Sequence, residues 1–377
     1  MVNSWKKEAW NFIENKCVLN NKVIGSQFPH ASHNGKYTLE NEAWWTAGFW
    51  PGILWEVYLV NKDENLRKTA EECEEKMAHL LSNPEIVDHD LGFMWTLTSL
   101  ADYKITGNKV SRQRALLAAN LLAARFNSNG NFIRAWNSWI GREDNSGVVI
   151  IDCLMNLPLL YWASEETKDP RFKQIAQKHV EMVLENFIRE DGSVQHMVIF
   201  NSQTGEVIEK AGGQGFSTNS AWARGCAWAI YGLTLSYKYL KDKKILNAAK
   251  KTAHYFIANT IEKKCPVWDF RVPKDNEKVK YSYLDSSAGA IAACGLLTLK
   301  EYVEDVEKSI YEVAGENMLK NLYIECATKG NDEEQGILRH GTGHFPEQTN
   351  LDVPLIYGDY FFTEGISILN GKEISLW

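Results

Sequence analysis

The chain repeats itself. An almost wholly apolar segment, a short polar turn and a segment rich in Lys, Glu and Ala recur along its length. The apolar members begin near Gly48-Phe49-Trp50, Leu91-Gly92-Phe93, Ile151-Asp152-Cys153, Arg224-Gly225-Cys226, Ser286-Ser287-Ala288 and Tyr357-Gly358-Asp359. Their amphipathic companions run from Asn65 to Leu81, Val110 to Phe126, Pro170 to Phe187, Lys244 to Asn259 and Lys308 to Tyr323, with Trp5 to Leu19 supplying another. The turns inside the units are alike: Lys62-Asp63-Glu64, Thr106-Gly107-Asn108, Lys168-Asp169-Pro170 and Lys241-Asp242-Lys243.

A helix that is apolar all round must be buried, and one with a charged face must lie outside. The alternation therefore predicts an all-α fold, an inner ring of helices inside an outer ring, the (α/α)6 barrel. An open solenoid also satisfies a repeat, but the unequal spacing of these units suits a closed barrel with loop insertions better. Strand signals are confined to short pieces such as Val194 to Phe200 and Val267 to Val272. No Pro/Gly/Ser-rich linker divides the chain, so residues 1–377 are expected to form one catalytic barrel domain.

In such a barrel every inner helix starts on the same face, and the residues at those starts converge on one cavity. Here they include Trp44, Trp45, His89, Asp90, Trp136, Asp152, His196, Gln214, Trp222, Arg224, Trp228 and Asp285. Two of these aspartates are unusual. Asp90 opens the run Leu91-Gly92-Phe93-Met94-Trp95, and Asp152 lies between Ile151 and Cys153 with further apolar residues on each side. Burial presses on the pKa of such carboxyls, which is how acid catalysts are made. Paired carboxylates suit glycosidic chemistry, one moving a proton while the other stays ionised. Any single rim aspartate can instead cap a helix, and Asp285, followed by Ser286 and Ser287, looks most like a cap. Arg224 can meet a carboxylate bidentately, with a structural ion pair as the comparable alternative.

The 14 Trp, 15 Tyr and 15 Phe exceed what packing usually needs. Aromatic rings of this kind line sugar sites, although filling gaps between helices is the commoner use of any one of them. The net charge of −7 and the lack of a basic stripe argue against a nucleic-acid partner. No run approaches membrane-spanning length, and the start, Met1 to Glu8, has no apolar signal core, so the chain is expected in the cytoplasm with no membrane contact. Seven scattered cysteines without Cys-x-x-Cys spacing read as reduced core thiols. Ala211 to Phe216 is glycine-rich but no Gly-Lys-Ser/Thr follows, which excludes a phosphate loop. His340 and His344 lack a third ligand at useful spacing, so the expectation is a loop shaping the outer subsite, with no metal.

Taken together, Trp44 to Trp50, Asp88-His89-Asp90-Leu91-Gly92-Phe93, Ile150 to Leu157, Gln214-Gly215 with Trp222 to Gly225, Asp285 to Ala288, and His340 to His344 with Tyr357 to Tyr360 span nearly the whole chain in order. With these pieces the chain resembles the unsaturated glucuronyl hydrolases, glycoside hydrolase family 88. The resemblance implies removal of a 4,5-unsaturated uronic acid from the non-reducing end of lyase-generated oligosaccharides, glycosaminoglycan-type disaccharides first among them. It implies that a carboxyl protonates C4 of the enol ether, water adds at C5, and the hemiketal rearranges to expel the aglycone, with no cofactor. It assigns Asp152 as general acid and base and Asp90 as the second essential carboxylate. It gives His89, His196, Gln214 and Arg224 the hydroxyls and carboxylate of the unsaturated ring, and Trp45, Trp136 and Trp222 the stacking; Trp228 joins them at the rim. Some members of the family recognise sulfate through a Ser-rich, Lys-containing segment. Here that stretch reads Gly341-Thr342-Gly343-His344-Phe345-Pro346, leaving His344 and Thr342 as weak sulfate contacts.

Three other readings stand beside this one: an unsaturated rhamnogalacturonyl hydrolase on the same barrel, a sugar epimerase or lyase, and a catalytically silent sugar-binding scaffold.

Overall fold

The computed structural model describes residues 4–138, 144–260, 264–273, 283–371 and 374–377; Met1, Val2 and Asn3 of the opening segment lie outside them. Helix α1 (Ser4–Ile24) precedes the hairpin β1 (Phe28–His33) and β2 (Lys36–Glu40), then α2 (Phe49–Asn61) and α3 (Glu64–Met77). A continuous helical run follows, α4 (Leu91–Trp95), a π-helical turn (Thr96–Leu100) and α5 (Ala101–Thr106), packed on α6 (Lys109–Ala123). Next come the pair β3 (Phe126–Asn127) and β4 (Phe132–Ile133), strand β5 (Val148–Ile150), a 3-10 turn (Ile151–Met155), α7 (Leu157–Thr167) and α8 (Pro170–Asn186). Strands β6 (Met197–Phe200) and β7 (Val207–Ala211) complete a three-stranded antiparallel sheet with β5. The last part holds α9 (Ala223–Leu240), α10 (Lys243–Thr260), α11 (Ser286–Leu299), α12 (Asp305–Glu325), the hairpin β8 (Gly341–His344) and β9 (Thr349–Val353), and α13 (Ile356–Leu369).

The apolar members form the inner ring. Helix α2 packs on the α4–α5 run, α4 on α7, α7 on α9, α9 on α11 and α11 on α13, and α13 returns to α2. That closure makes the molecule an (α/α)6 barrel and disposes of the open solenoid. Each inner helix is backed by an amphipathic partner: α2 by α3, α4–α5 by α6, α7 by α8, α9 by α10, α11 by α12, and α13 by α1.

The recurring turn has one geometry. A left-handed residue ends the inner helix at Lys62 (φ 58), Gly107 (φ 78), Lys168 (φ 63) and Lys241 (φ 55), and a polar side chain then starts the outer one. Asp63 accepts the N–H of Asn65, Asn108 those of Val110 and Ser111, Asp169 that of Arg171, and Asp242 that of Lys244. These oxygens satisfy donors that a helix start leaves orphaned.

Two strand expectations change. Around Val267 to Val272 there is no named strand, only isolated bridges from Val267 to Leu284 and from Asp269 to Trp222. Within Val194 to Phe200 the strand is Met197–Phe200 alone. The hairpin β1–β2 has a readable sequence signature in its turn, Asn34-Gly35, where both residues adopt left-handed φ as a type I′ turn requires.

Most of the aromatic surplus fills the core. Trp50, Trp55, Trp95, Trp228, Trp268 and Trp377 are almost fully buried. All seven cysteines are buried and none forms a disulfide. No described helix is long and apolar enough to cross a membrane.

Candidate active site

The inner helices deliver their N-terminal residues to one cavity of about 320 Å³, lined among others by Trp44, Trp45, Asp90, Trp136, Asp152, Gln214, Arg224, His344 and Tyr357. Cavities of about 450 and 610 Å³ open beside Trp10 and between α10 and α12 with no carboxylate in their lining, and one of about 470 Å³ opens beside Glu181 and Glu185 on the outer helix α8, away from the inner helix starts. The first cavity brings the carboxylates of Asp90 and Asp152 together with the rings of Trp44, Trp45, Trp136 and Tyr357 at the starts of the inner helices, the pattern expected of a small-molecule site.

Asp90 stands at the N-terminus of α4, and its N–H is held by the Asp88 side chain at 2.9 Å. Asp152 sits in the 3-10 turn before α7. What brings the two segments together is Gly92: a Cβ there would lie 2.2 Å from the Cα of Asn156, so only glycine permits the crossing. Across that contact Asn156 donates from Nδ2 to Asp90 Oδ1 at 3.2 Å and accepts the Phe93 N–H on its Oδ1 at 2.7 Å.

Burial raises the Asp90 carboxyl to about 7; the Asn156 hydrogen bond opposes this, and the charge of Asp152 adds to it. Burial likewise lifts Asp88 to about 6, with the charge of Asp90 helping. His89 lies fully buried behind Asp90, its Nε2 3.5 Å from Oδ1, and burial lowers it to about 4, so it stays neutral at pH 7. Among the described residues neither ring nitrogen of His89 has a hydrogen-bond partner, and the same is true of Asp152 Oδ2.

His196 backs Asp152. Its Nδ1 accepts the Gln214 N–H at 2.8 Å, which assigns the ring proton of the neutral form to Nε2, 3.6 Å from Asp152 Oδ2. Gly213, at φ 57, makes this possible, because a Cβ there would fall 1.9 Å from His196 Nδ1.

Arg224 is a clamp. Its Nη1 donates to Asp285 Oδ2 and Thr342 O, each at 2.6 Å, and its Nη2 to Gln214 Oε1 at 2.7 Å and Gly343 O at 2.6 Å. Burial works against its charge, but Tyr357, Asp285 and Asp152 outweigh that and hold its pKa above the ordinary value. The clamp ties α9 to the β8–β9 hairpin and engages the four terminal N–H groups within the protein, the geometry of the ion-pair alternative, while Arg224 still borders the cavity. Gln214, with Oε1 taken, presents its NH2. Asp285 is the cap that it looked like: it accepts the N–H groups of Ser287 and Ala288 as well as the arginine.

Two of the expected rings lie outside the cavity lining. Trp228 is fully buried against Phe93 and Phe361 and belongs to the core, because the inner helix face that carries it points to the barrel axis below the cavity. Trp222 is buried too; it lies under the Arg224 guanidinium at 4.6 Å and against the His196 ring at 4.4 Å, supporting both from behind. Trp45, Trp136 and His344 do line the cavity. His340 and His344 part company: His340 pairs with Asp352 at 2.6 Å, while His344 faces the pocket.

The structure adds His30, Glu347, Thr349, Asn350 and Tyr357 to the lining. His30 and Asn350 meet at 3.1 Å across 320 residues of sequence, joining the β1–β2 and β8–β9 hairpins into one lip. Tyr357 lay within a recognised motif; nothing local in the sequence marks the others.

The model of the Glycosyl Hydrolase Family 88 matches residues 20–344. The chain is 35% identical over 362 residues to an unsaturated glucuronyl hydrolase of Bacillus sp., covering 95% of each chain. It superimposes on the crystal structure of an unsaturated glucuronyl hydrolase from Bacillus sp. GL1 with a TM-score of 0.92, at 34% identity and 97% coverage of both chains. An unsaturated chondroitin disaccharide hydrolase of Streptococcus pyogenes is 34% identical over 92% of this chain and 87% of its own. A Streptococcus agalactiae unsaturated glucuronyl hydrolase variant complexed with dGlcA-GalNAc6S is matched at a TM-score of 0.85, 29% identity and coverage of 99% and 93%. With barrel, carboxylate pair and these matches in agreement, the chain belongs to glycosyl hydrolase family 88.

Proposed function

We propose that this enzyme removes the 4,5-unsaturated uronic acid from the non-reducing end of lyase-generated oligosaccharides, glycosaminoglycan-type disaccharides foremost, by hydrating the C4=C5 enol ether. One observation carries the reading: two carboxyls, Asp90 and Asp152, share a ring-lined pocket, and the rise of Asp90 to about 7 keeps a proton on the pair near neutrality. The names and bound sugars of the relatives support the same substrate class.

Protonation of C4 leaves an oxocarbenium at C5 and the ring oxygen. Asp152 is the group assigned to deliver that proton and to take one from the water that adds at C5. The C5 hemiketal then opens, and the aglycone departs from C1 as an alcohol. Asp90 holds the proton available to the pair and its charge, when ionised, steadies the cation. His196 supports Asp152 through Nε2–H, His89 supports Asp90, Gln214 offers NH2 to the sugar, and Trp45 and Trp136 take its faces. His344 stands at the aglycone end. The acidic chain with its lack of a basic stripe fits a saccharide partner and no nucleic acid. The seven buried thiols, none in a disulfide, fit a reducing, cytoplasmic setting, and residues 1–377 act as one catalytic barrel.

The test follows the ultraviolet absorbance of the conjugated enol ether in unsaturated chondroitin, hyaluronan and heparin disaccharides, with wild type and Asp152→Asn in parallel. Loss of absorbance with wild type alone is the expected result. A folded wild type that consumes none of them refutes the glucuronyl reading, and rhamnose-linked substrates come next.

A further inference from the structure

The loops that carry Asp90 and Trp136 have little regular structure to hold them. Residues 83–90 are irregular and turn, and Trp136 belongs to a small apolar cluster with Ala135, Val148, Ile150, Met197 and Ile199 that is separate from the main core. Both loops converge on one side chain. Arg125, just past α6, is buried and does not line the pocket. Its Nε donates to Arg134 O at 3.1 Å, its Nη1 to Val87 O at 3.2 Å and Asn137 Oδ1 at 2.8 Å, and its Nη2 to Ala135 O at 2.9 Å. Val87 immediately precedes Asp88-His89-Asp90, and Ala135 immediately precedes Trp136.

Asn137 completes the staple, giving its Nδ2 to Glu85 O and Val87 O, each at 2.9 Å. The His89 N–H also donates to Ala135 O, at 3.1 Å. Among the described residues no carboxylate lies within salt-bridge distance of Arg125. A buried cation held only by carbonyls and an amide is costly. Its field reaches Asp88 and Asp90, where it opposes the effect of burial.

We propose that Arg125 is a positioning residue of the active site: its guanidinium fork ties the Asp90 loop to the Trp136 loop and keeps a positive charge behind Asp90. This rests on the roles given above to Asp90 and Trp136. The charged and titratable groups facing Asp90 are Asp88 and His89 on its own loop, Asp152 and Cys153 on the 3-10 turn before α7, the Cys153 thiol kept neutral by burial, and Arg125. Arg125 is the cation among them, since His89 is neutral. Removing it raises the Asp90 pKa further. If turnover needs the proton that Asp90 holds, activity in the variant then persists to higher pH.

The experiment measures kcat and KM against pH on an unsaturated chondroitin disaccharide for wild type, Arg125→Lys, Arg125→Met, Asn137→Ala and Asp90→Asn, each with its thermal midpoint. Arg125→Lys keeps the charge and loses the fork, so KM rises about tenfold while the basic limb of the profile stays in place. Arg125→Met loses both: kcat/KM falls on the order of 10²-fold, the cost of misplacing a reacting group by about 1 Å, and the basic limb moves up by about half a unit or more. Asn137→Ala raises KM and leaves the limb where it is. Wild-type KM and pH profile in folded Arg125→Met, with Asp90→Asn inactive, overturn the proposal. Should Arg125→Met fail to fold, unchanged KM in both Arg125→Lys and Asn137→Ala overturns it. Full turnover by Asp90→Asn would instead remove the role given to Asp90, a separate outcome.

Discussion

Four aspartates stand at or beside the starts of inner helices, and the barrel treats them in two ways. On one side Asp285 accepts from Ser287, Ala288 and Arg224, and Asp359 accepts from the Tyr37 hydroxyl and the N–H groups of Ile337 and Leu338. On the other side, among the described residues, Asp90 has one long side-chain bond, from Asn156, and Asp152 Oδ2 is buried without a hydrogen bond, His196 Nε2 standing 3.6 Å away. Burial raises Asp90 and Asp359 alike to about 7. A raised pKa therefore does not separate the chemical pair from the structural pair. What separates them is hydrogen-bonding capacity left unmet in front of a cavity, where a reacting substrate and water can use it.

The largest effect expected from this contrast is on Asp152. Asp152→Asn lowers kcat on the order of 10³-fold or more while the thermal midpoint stays close to wild type; a large drop in midpoint instead would move Asp152 to the structural side. Asp285→Ala does the reverse. It leaves Arg224 buried without its carboxylate, costing about 3–5 kcal/mol, read from the urea midpoint at constant m-value.

Asp90→Asn sharpens the comparison by sign. The folded chain keeps a proton on Asp90 up to about pH 7, whereas the unfolded chain releases it near the ordinary aspartate value. Wild-type stability relative to the Asn variant thus declines as pH rises from about 4 to 7, and the difference is complete above 7. At pH 8 the variant is expected to be inactive yet more stable by about 2–4 kcal/mol; equal stability at pH 5 and pH 8 would contradict this. Trp45→Ala raises KM about tenfold, equivalent to about 1.4 kcal/mol, with little change in unfolding, and a destabilised protein would place Trp45 with the buried Trp228. The smallest effect belongs to the outer turn: Asp63→Ala removes a cap and costs about 1 kcal/mol, with kcat and KM unchanged.

Much of the site was readable because the barrel collects helix starts. Asp90, Asp152, Trp45, Gln214 and Arg224 follow from asking which residues precede apolar helices. The reading of Asp285 as a cap came from Ser286 and Ser287, and the structure adds the arginine. The lip was not readable. His30 and Asn350 are brought together by two hairpins at opposite ends of the chain, and no local pattern encodes that meeting.

What this sequence determines alone is the alternation of all-apolar and one-faced helices, since burial of a helix face is written in the spacing of its own residues. The tertiary structure decided which rings line the cavity and which fill the core, so that Trp228 and Trp222 are buried while Trp44, Trp45 and Trp136 border the cavity. It also decided which carboxylates are satisfied. Partners such as Arg224 for Asp285, or Asn156 for Asp90, lie more than sixty residues away, and a hydrogen bond of that kind depends on where the closed ring places two helix ends.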